Sequence, residues 1–226
     1  MKGDWILCLI SSLLLCVHGI VNLTCVSCPL GSPTCGANCT DLETACVTLT
    51  EADTLGGDVI SNGSYKGCID PKHCRPLAFT LTTAAGHHIQ SNMACCSTNM
   101  CNEGLSLSVP PVGTLGNGIT CPACEIYNQT ECKIKSNIAC TGTEEKCITL
   151  AGDSIDNSTN QSFIIKGCAT MDACSLQQND LVPFGGNIYK LNVKAACTDR
   201  GTWGVISSSG IIFSSLAGVL FMQNLS

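Results

Sequence analysis

Two near-copies of one cysteine spacing run through this chain, and they restrict its fold more than any other feature. From Cys25 through Cys28, Cys35, Cys39, Cys46, Cys68 and Cys74 to Cys95 the intervals are 2, 6, 3, 6, 21, 5 and 20 residues, and the series closes on Cys96, Cys101 and Asn102. From Cys121 through Cys124, Cys132, Cys140, Cys147, Cys168 and Cys174 to Cys197 they are 2, 7, 7, 6, 20, 5 and 22. The flanks repeat as well. CVTL at 46–49 answers CITL at 147–150, and YKGC ending at Cys68 answers IKGC ending at Cys168. A spacing kept through two copies marks two modules of one architecture in tandem.

Twenty cysteines in 226 residues define a disulfide scaffold made in an oxidising compartment, because cytosolic glutathione keeps thiols reduced. Residues 1–19 read as a signal peptide: Met1 and Lys2 lead into an apolar run over 5–17 that is too short to span a bilayer, followed by Val17, His18 and Gly19 as a cleavage site. Cys8 and Cys16 leave with it, so ten cysteines remain in the first module and eight in the second, both even numbers. At the other end, residues 203–222 carry no charge and lack the basic flank of a membrane-spanning helix. Small residues followed by a terminal apolar stretch fit a glycosylphosphatidylinositol (GPI) attachment signal, removed over 200–226. Asp199, with Gly201 two residues on, is the expected attachment residue; 207–210 is the alternative, with a cramped spacer. The expected location is therefore the outer leaflet of the plasma membrane, with shedding or secretion as the variant. Formal net charge is −6 without any cluster of Lys and Arg, which argues against nucleic acid as a partner.

The first module is placed at 20–102, a linker at 103–120 and the second module at 121–199. Modules of this size have a marginal hydrophobic core and depend on cross-links. Apolar and β-branched residues cluster or alternate at 45–49, 77–83, 163–165 and 188–193, and no stretch between the two ends sustains a helical period. The class is all-β. Gly56 with Gly57, Asn62 with Gly63, Gly86, and Gly185 with Gly186 read as hairpin tips. In the linker, Leu105, Leu107, Val109 and Val112 form an apolar strip expected to pack the modules together.

The start Cys25-x2-Cys28, the spacing Cys68-x5-Cys74 and the ending CCSTNMCN at 95–102 resemble the Ly6/uPAR (three-finger) family, whose members close with CC-x4-CN. The resemblance implies two tandem disulfide-rich three-finger (Ly6/uPAR) domains. It also implies a pairing: Cys25 with Cys46, Cys28 with Cys35, Cys39 with Cys68, Cys74 with Cys95, and Cys96 with Cys101. The second module departs by ending at Cys197 without CC-x4-CN, yet the scheme still pairs Cys121 with Cys147, Cys124 with Cys132, Cys140 with Cys168, and Cys174 with Cys197. Its end, one disulfide short, is expected to be looser. CTGTEEKCITLAG at 140–152 with IKGC at 165–168 is similar to the second domain of phospholipase A2 inhibitor gamma subunits and related two-domain surface antigens.

Chemistry-bearing residues are few. Asn22, Asn38, Asn62, Asn128, Asn157 and Asn160 each begin an N-x-S/T triplet, expected to sit at the surface and accept glycans. The two Cys-x2-Cys pairs suit neither a redox helix nor a zinc ribbon, so no metal and no cofactor are expected. Histidine is scarce, with His73, His87 and His88 all in the first module; the pair His87 and His88 reads as exposed, and Glu144, Glu145, Asp153 and Asp156 as a solvated face without the spacing of a calcium loop. No nucleophile stands with a base and an orienting acid, so no catalytic residue is assigned and the chain is not expected to be an enzyme. The function expected is a GPI-anchored surface glycoprotein that binds an extracellular protein ligand through its finger loops and the crevice between modules. Inhibition of a secreted phospholipase A2 is the alternative. A urokinase receptor equivalent is weaker, since that receptor resembles this chain but uses three such modules.

Overall fold

The pleated, mostly apolar segments around the cysteines become thirteen strands among the described residues, all paired antiparallel. The computed structural model describes residues 23–30, 32, 35–37, 39, 45–54, 61–134, 136–155 and 161–199. The expected signal peptide, the expected attachment tail after Asp199, and Asn22, Asn38, Asn157, Asn160 and Asp156 lie outside them. Module one contains β1 (Val26–Ser27), β2 (Gly36–Ala37), β3 (Ala45–Asp53), β4 (Ser61–Ile69), β5 (Leu77–Thr82) and β6 (His88–Cys96). Module two contains β7 (Gly116–Tyr127), β8 (Ser136–Thr141), β9 (Lys146–Ser154), β10 (Ser162–Ala169), β11 (Leu181–Phe184), β12 (Asn187–Leu191) and β13 (Ala196–Thr198). Short 3-10 turns at Pro71–His73 and Met171–Ser175 sit at equivalent places after β4 and β10.

Apart from the β1–β2 pair, the strands form one sheet of eleven in the order β11-β12-β9-β10-β5-β6-β3-β4, with β7 also on β10, β8 on β7 and β13 on β9. The sheet crosses the module boundary. β10 of module two pairs with β5 of module one through Cys168 opposite Thr82 and Ala169 opposite Leu81. The Thr170 amide extends the ladder to the Thr80 carbonyl at 3.1 Å.

The core crosses the boundary too. Phe79, Leu81 and Ile89 of module one are buried with Ile148, Leu150, Phe163, Ile165, Phe184 and Tyr189 of module two. Phe163 meets Phe184 and Tyr189 edge-on, each with ring centroids 4.9 Å apart, and Phe184 stacks on Tyr189 at 4.3 Å. Such arrangements suit the ring quadrupoles. A second cluster joins Ala45, Val47, Leu49, Ile69 and Met93 of module one to Ile188 of module two. An open crevice between modules is therefore replaced by packed side chains where these elements meet.

Several expectations change at this level. Asn62 and Gly63 lie within β4, not at a hairpin tip. A methyl on Gly63 would come within 2.7 Å of Leu30 Cδ1 and 3.0 Å of Glu51 Oε1, so this glycine marks a close approach inside a strand. Gly86 does lie in the β5–β6 turn, and Gly185 and Gly186 form the β11–β12 turn with φ of 60° and 74°. Positive φ at both central residues is the two-residue hairpin turn whose twist matches its strands. The stretch read as linker ends early, because β7 begins at Gly116. Before it the chain is tied to module one: Gln90 Nε2 donates to the Pro110 carbonyl at 2.5 Å and Asn92 Nδ2 to the Ser108 carbonyl at 2.7 Å. Leu105, Leu107, Val109 and Val112 are half-buried and alternate with more exposed neighbours over 105–108.

Candidate functional site at the joint between the modules

Nine disulfides join the eighteen cysteines from Cys25 to Cys197. In module one they are Cys25–Cys46, Cys28–Cys35, Cys39–Cys68, Cys74–Cys95 and Cys96–Cys101. In module two they are Cys121–Cys147, Cys124–Cys132, Cys140–Cys168 and Cys174–Cys197. These are the pairs that the family resemblance implies. Close sulfur triads such as Cys121, Cys140 and Cys168 are adjacent disulfides, and a disulfide sulfur is not the thiolate a metal needs.

Asn102 explains the closing motif of module one. It is fully buried; its Oδ1 accepts the Val26 N–H at 2.9 Å, and its Nδ2 donates to the carbonyls of Val26 at 2.9 Å and Val47 at 3.3 Å. The carboxyl-terminal loop is thereby pinned to β1 and β3. Among the described residues module two has no counterpart of it. Its last strand instead adds to β9 through Ala196, Cys197 and Thr198 opposite Thr149, Ile148 and Cys147. Asp199, exposed beyond that strand, pairs with the Lys146 ammonium, which holds its carboxyl below the usual range.

Of the sequons inside the described residues, Asn62 on β4 and Asn128 after β7 are both exposed. Asn128 takes a φ of 54°, and its Oδ1 accepts the Ser162 N–H at 2.9 Å.

Polar residues read as surface groups meet at the joint. Glu144 is buried, and both its oxygens lie 2.8 Å from the Thr82 hydroxyl of module one. Burial pushes its carboxyl up, and hydrogen bonds from Thr82, Thr80 and the Thr141 backbone offset part of that. His88 Nδ1 is 2.9 Å from the same hydroxyl. One hydroxyl proton cannot serve both partners, so with the Thr82 proton on Glu144 the imidazole donates from Nδ1. Burial first, and then His87, lower the His88 pKa. Glu125 of module two accepts from the Thr83 hydroxyl at 2.6 Å and lies 3.3 Å from His87 Nδ1. The buried Asp180 takes Arg75 Nη2 at 2.9 Å and stands 3.4 Å from His73 Nδ1, both from module one. None of the three histidines is a free surface group. Glu145 and Asp153 remain exposed as expected.

The IKGC glycine sits where the two modules approach closely. A methyl group on Gly167 would sit 1.9 Å from the Thr82 carbonyl oxygen, so β10 and β5 approach this closely only because that side chain is absent. In the sequence alone Gly167 is no more than part of the repeated KGC marker. At its counterpart Gly67 the nearest atoms belong to the Tyr65 side chain of the same module, so the contrast between the copies is invisible in the motif itself.

Two disulfide-laced β modules are fused through sheet and core, with buried polar pairs at the seam. The u-PAR/Ly-6 domain family matches residues 21–104 and 117–200, and the chain belongs to that family. It is 30% identical over 115 residues to Protein RoBo-1 of Rattus norvegicus, covering 50% of this chain and 45% of that protein. It is 28% identical over 165 residues to a phospholipase A2 inhibitor of the gamma type from Gloydius brevicaudus siniticus, covering 71% and 77%. To the urokinase plasminogen activator surface receptor of Aotus trivirgatus it is 25% identical over 189 residues, covering 79% and 53%. The match thus spans about half the length of RoBo-1 and of the receptor. The crystal structure of mouse TEX101 superposes at a TM-score of 0.36 with 18% identity, over 74% of this chain and 87% of that one. Among the described residues no helix is long and apolar enough to cross a membrane.

Proposed function

We propose that the protein is a non-enzymatic glycoprotein of the cell surface, GPI-anchored at Asp199, that binds an extracellular protein ligand through its free finger loops. The observation that carries this reading is the fused joint: β10 on β5 and a shared core hold the loops of both modules in one fixed arrangement. Loops on a rigid scaffold vary freely and carry recognition. The β11–β12 turn is not among the free loops, because its amides are bonded to module one. The ligand surface is therefore assigned to the remaining loops among the described residues, bounded by glycans at the exposed Asn62 and Asn128, with the other four sequons as further acceptor positions. A cell-surface binding screen with the soluble fragment 20–200 tests this. Saturable capture by a protein ligand is expected, and loss of capture on reduction of the disulfides. Release of the intact protein from cells by phosphatidylinositol-specific phospholipase C is expected as well, and resistance to release with the 200–226 tail still detected by mass spectrometry contradicts the anchor.

A second reading, inhibition of a secreted phospholipase A2, is favoured by the 28% identity to the gamma-type inhibitor, a match that runs over most of both chains. An inhibition assay with the purified ectodomain separates the two; absence of effect at micromolar concentration leaves the shared ancestry and removes the shared activity.

A further inference from the structure

β3 is buried on both faces along most of its length, yet it ends in two acidic residues. Alternation puts Glu51 and Asp53 on the same face as Val47 and Leu49. That face receives the β11–β12 hairpin of module two, whose Ile188 is buried with Val47 and Leu49. The Gly185 N–H donates to Asp53 Oδ2 at 2.7 Å and the Gly186 N–H to Glu51 Oε1 at 3.0 Å. Both carboxyls are buried, and Glu51 Oε2 has no hydrogen-bond partner among the described residues.

An ionised carboxylate with one oxygen orphaned in a buried site is costly, whereas a carboxylic acid keeps that oxygen neutral. We propose that Glu51 and Asp53 form a proton-operated latch: a proton on Glu51 Oε2 holds the β11–β12 turn of module two on module one, and its loss lets the turn lift. The groups facing the latch are consistent with this. Asp53 is on the same strand, Tyr189 approaches Glu51 from β12, and Tyr127 on β7 approaches Asp53. Glu125 is engaged by Tyr127, Thr83 and His87. On the flanking strands, His88 of β6 turns to Thr82, and Lys66 of β4 turns to the Glu103 carbonyl. Burial, reinforced by Asp53 and opposed by the Gly186 amide, raises the Glu51 pKa from 4.5 to about 7. A pKa raised on closure gives a contribution that is complete below the open-state value and is lost as pH rises through the closed-state value. The latch is therefore tight in mild acid and loosens above neutrality.

Amide hydrogen exchange of the mature glycoprotein at about pH 6 and about pH 8, corrected for intrinsic rates, reads it directly. Protection of 181–191 is expected to fall on the order of tenfold between the two conditions, while the β3–β4 ladder is unchanged. Glu51→Gln keeps the acceptor and cannot ionise, so it should hold the acid level of protection at pH 8. Asp53→Asn removes the neighbouring charge and should move the fall to lower pH. Equal wild-type protection at both conditions, or an equal fall in Glu51→Gln, overturns the latch.

Discussion

Asn102 loses nothing by being buried, because its amide replaces water with three backbone partners, Val26 N–H, Val26 C=O and Val47 C=O. Asn102→Ala leaves those groups unpaired, and urea denaturation should show a loss on the order of 3 kcal/mol, since each unmade buried bond costs about 1–3. Gly167 is constrained by space. In Gly167→Ala the added methyl meets the Thr82 carbonyl oxygen, so β10 must move off β5. Calorimetry should show a substantially lowered Tm, while Gly104→Ala, with nothing within 4 Å of its new atom, should stay within about 0.5 kcal/mol of wild type. The cysteine text made the pairing legible at this scale through a family resemblance. The role of Gly167 was illegible, because its partner lies 85 residues away in the other module. Glu144 was misread for the same reason: GTEEKC looks solvated until Thr82 of module one is placed over it.

Strands were easier to read than their neighbours. The apolar runs at 45–49, 77–83, 163–165 and 188–193 fall on β3, β5, β10 and β12, since a period of two identifies a pleated segment. Periodicity does not say which strand lies alongside, and so the pairing of β5 with β10 was not foreseen. One signal was present: in TLTEAD, two acids replace apolar residues on a face that is otherwise core, and that is where a second element docks. A comparable buried contact is Asp180, just before β11, which takes Arg75 and the Gln177 amide. Asp180→Ala should cost about 2–3 kcal/mol by denaturant titration because it strips acceptors from a buried cluster. Arg75→Ala should cost less than that, because the Gln177 amide still donates to the buried carboxylate when the guanidinium is gone. The double variant should fall short of the sum, since both changes break one pair.

At the scale of the molecule, disulfides hold each module, and a common sheet and core hold the modules to each other. Cross-links that close loops within one module do nothing to orient it against the next, and every disulfide here is internal to its module. The relative arrangement rests on β5 with β10, the aromatic cluster around Phe163, and the polar contacts of Glu51, Asp53, Glu125, Glu144 and Asp180. A binding surface assembled from loops of both modules is specific only if that joint does not swing. Differential scanning calorimetry of the disulfide-intact ectodomain tests the joint most directly. One transition, with calorimetric and van 't Hoff enthalpies equal, is what a fused two-module body gives; two resolved transitions, or a calorimetric enthalpy about twice the van 't Hoff value, would show modules that unfold independently and would contradict it.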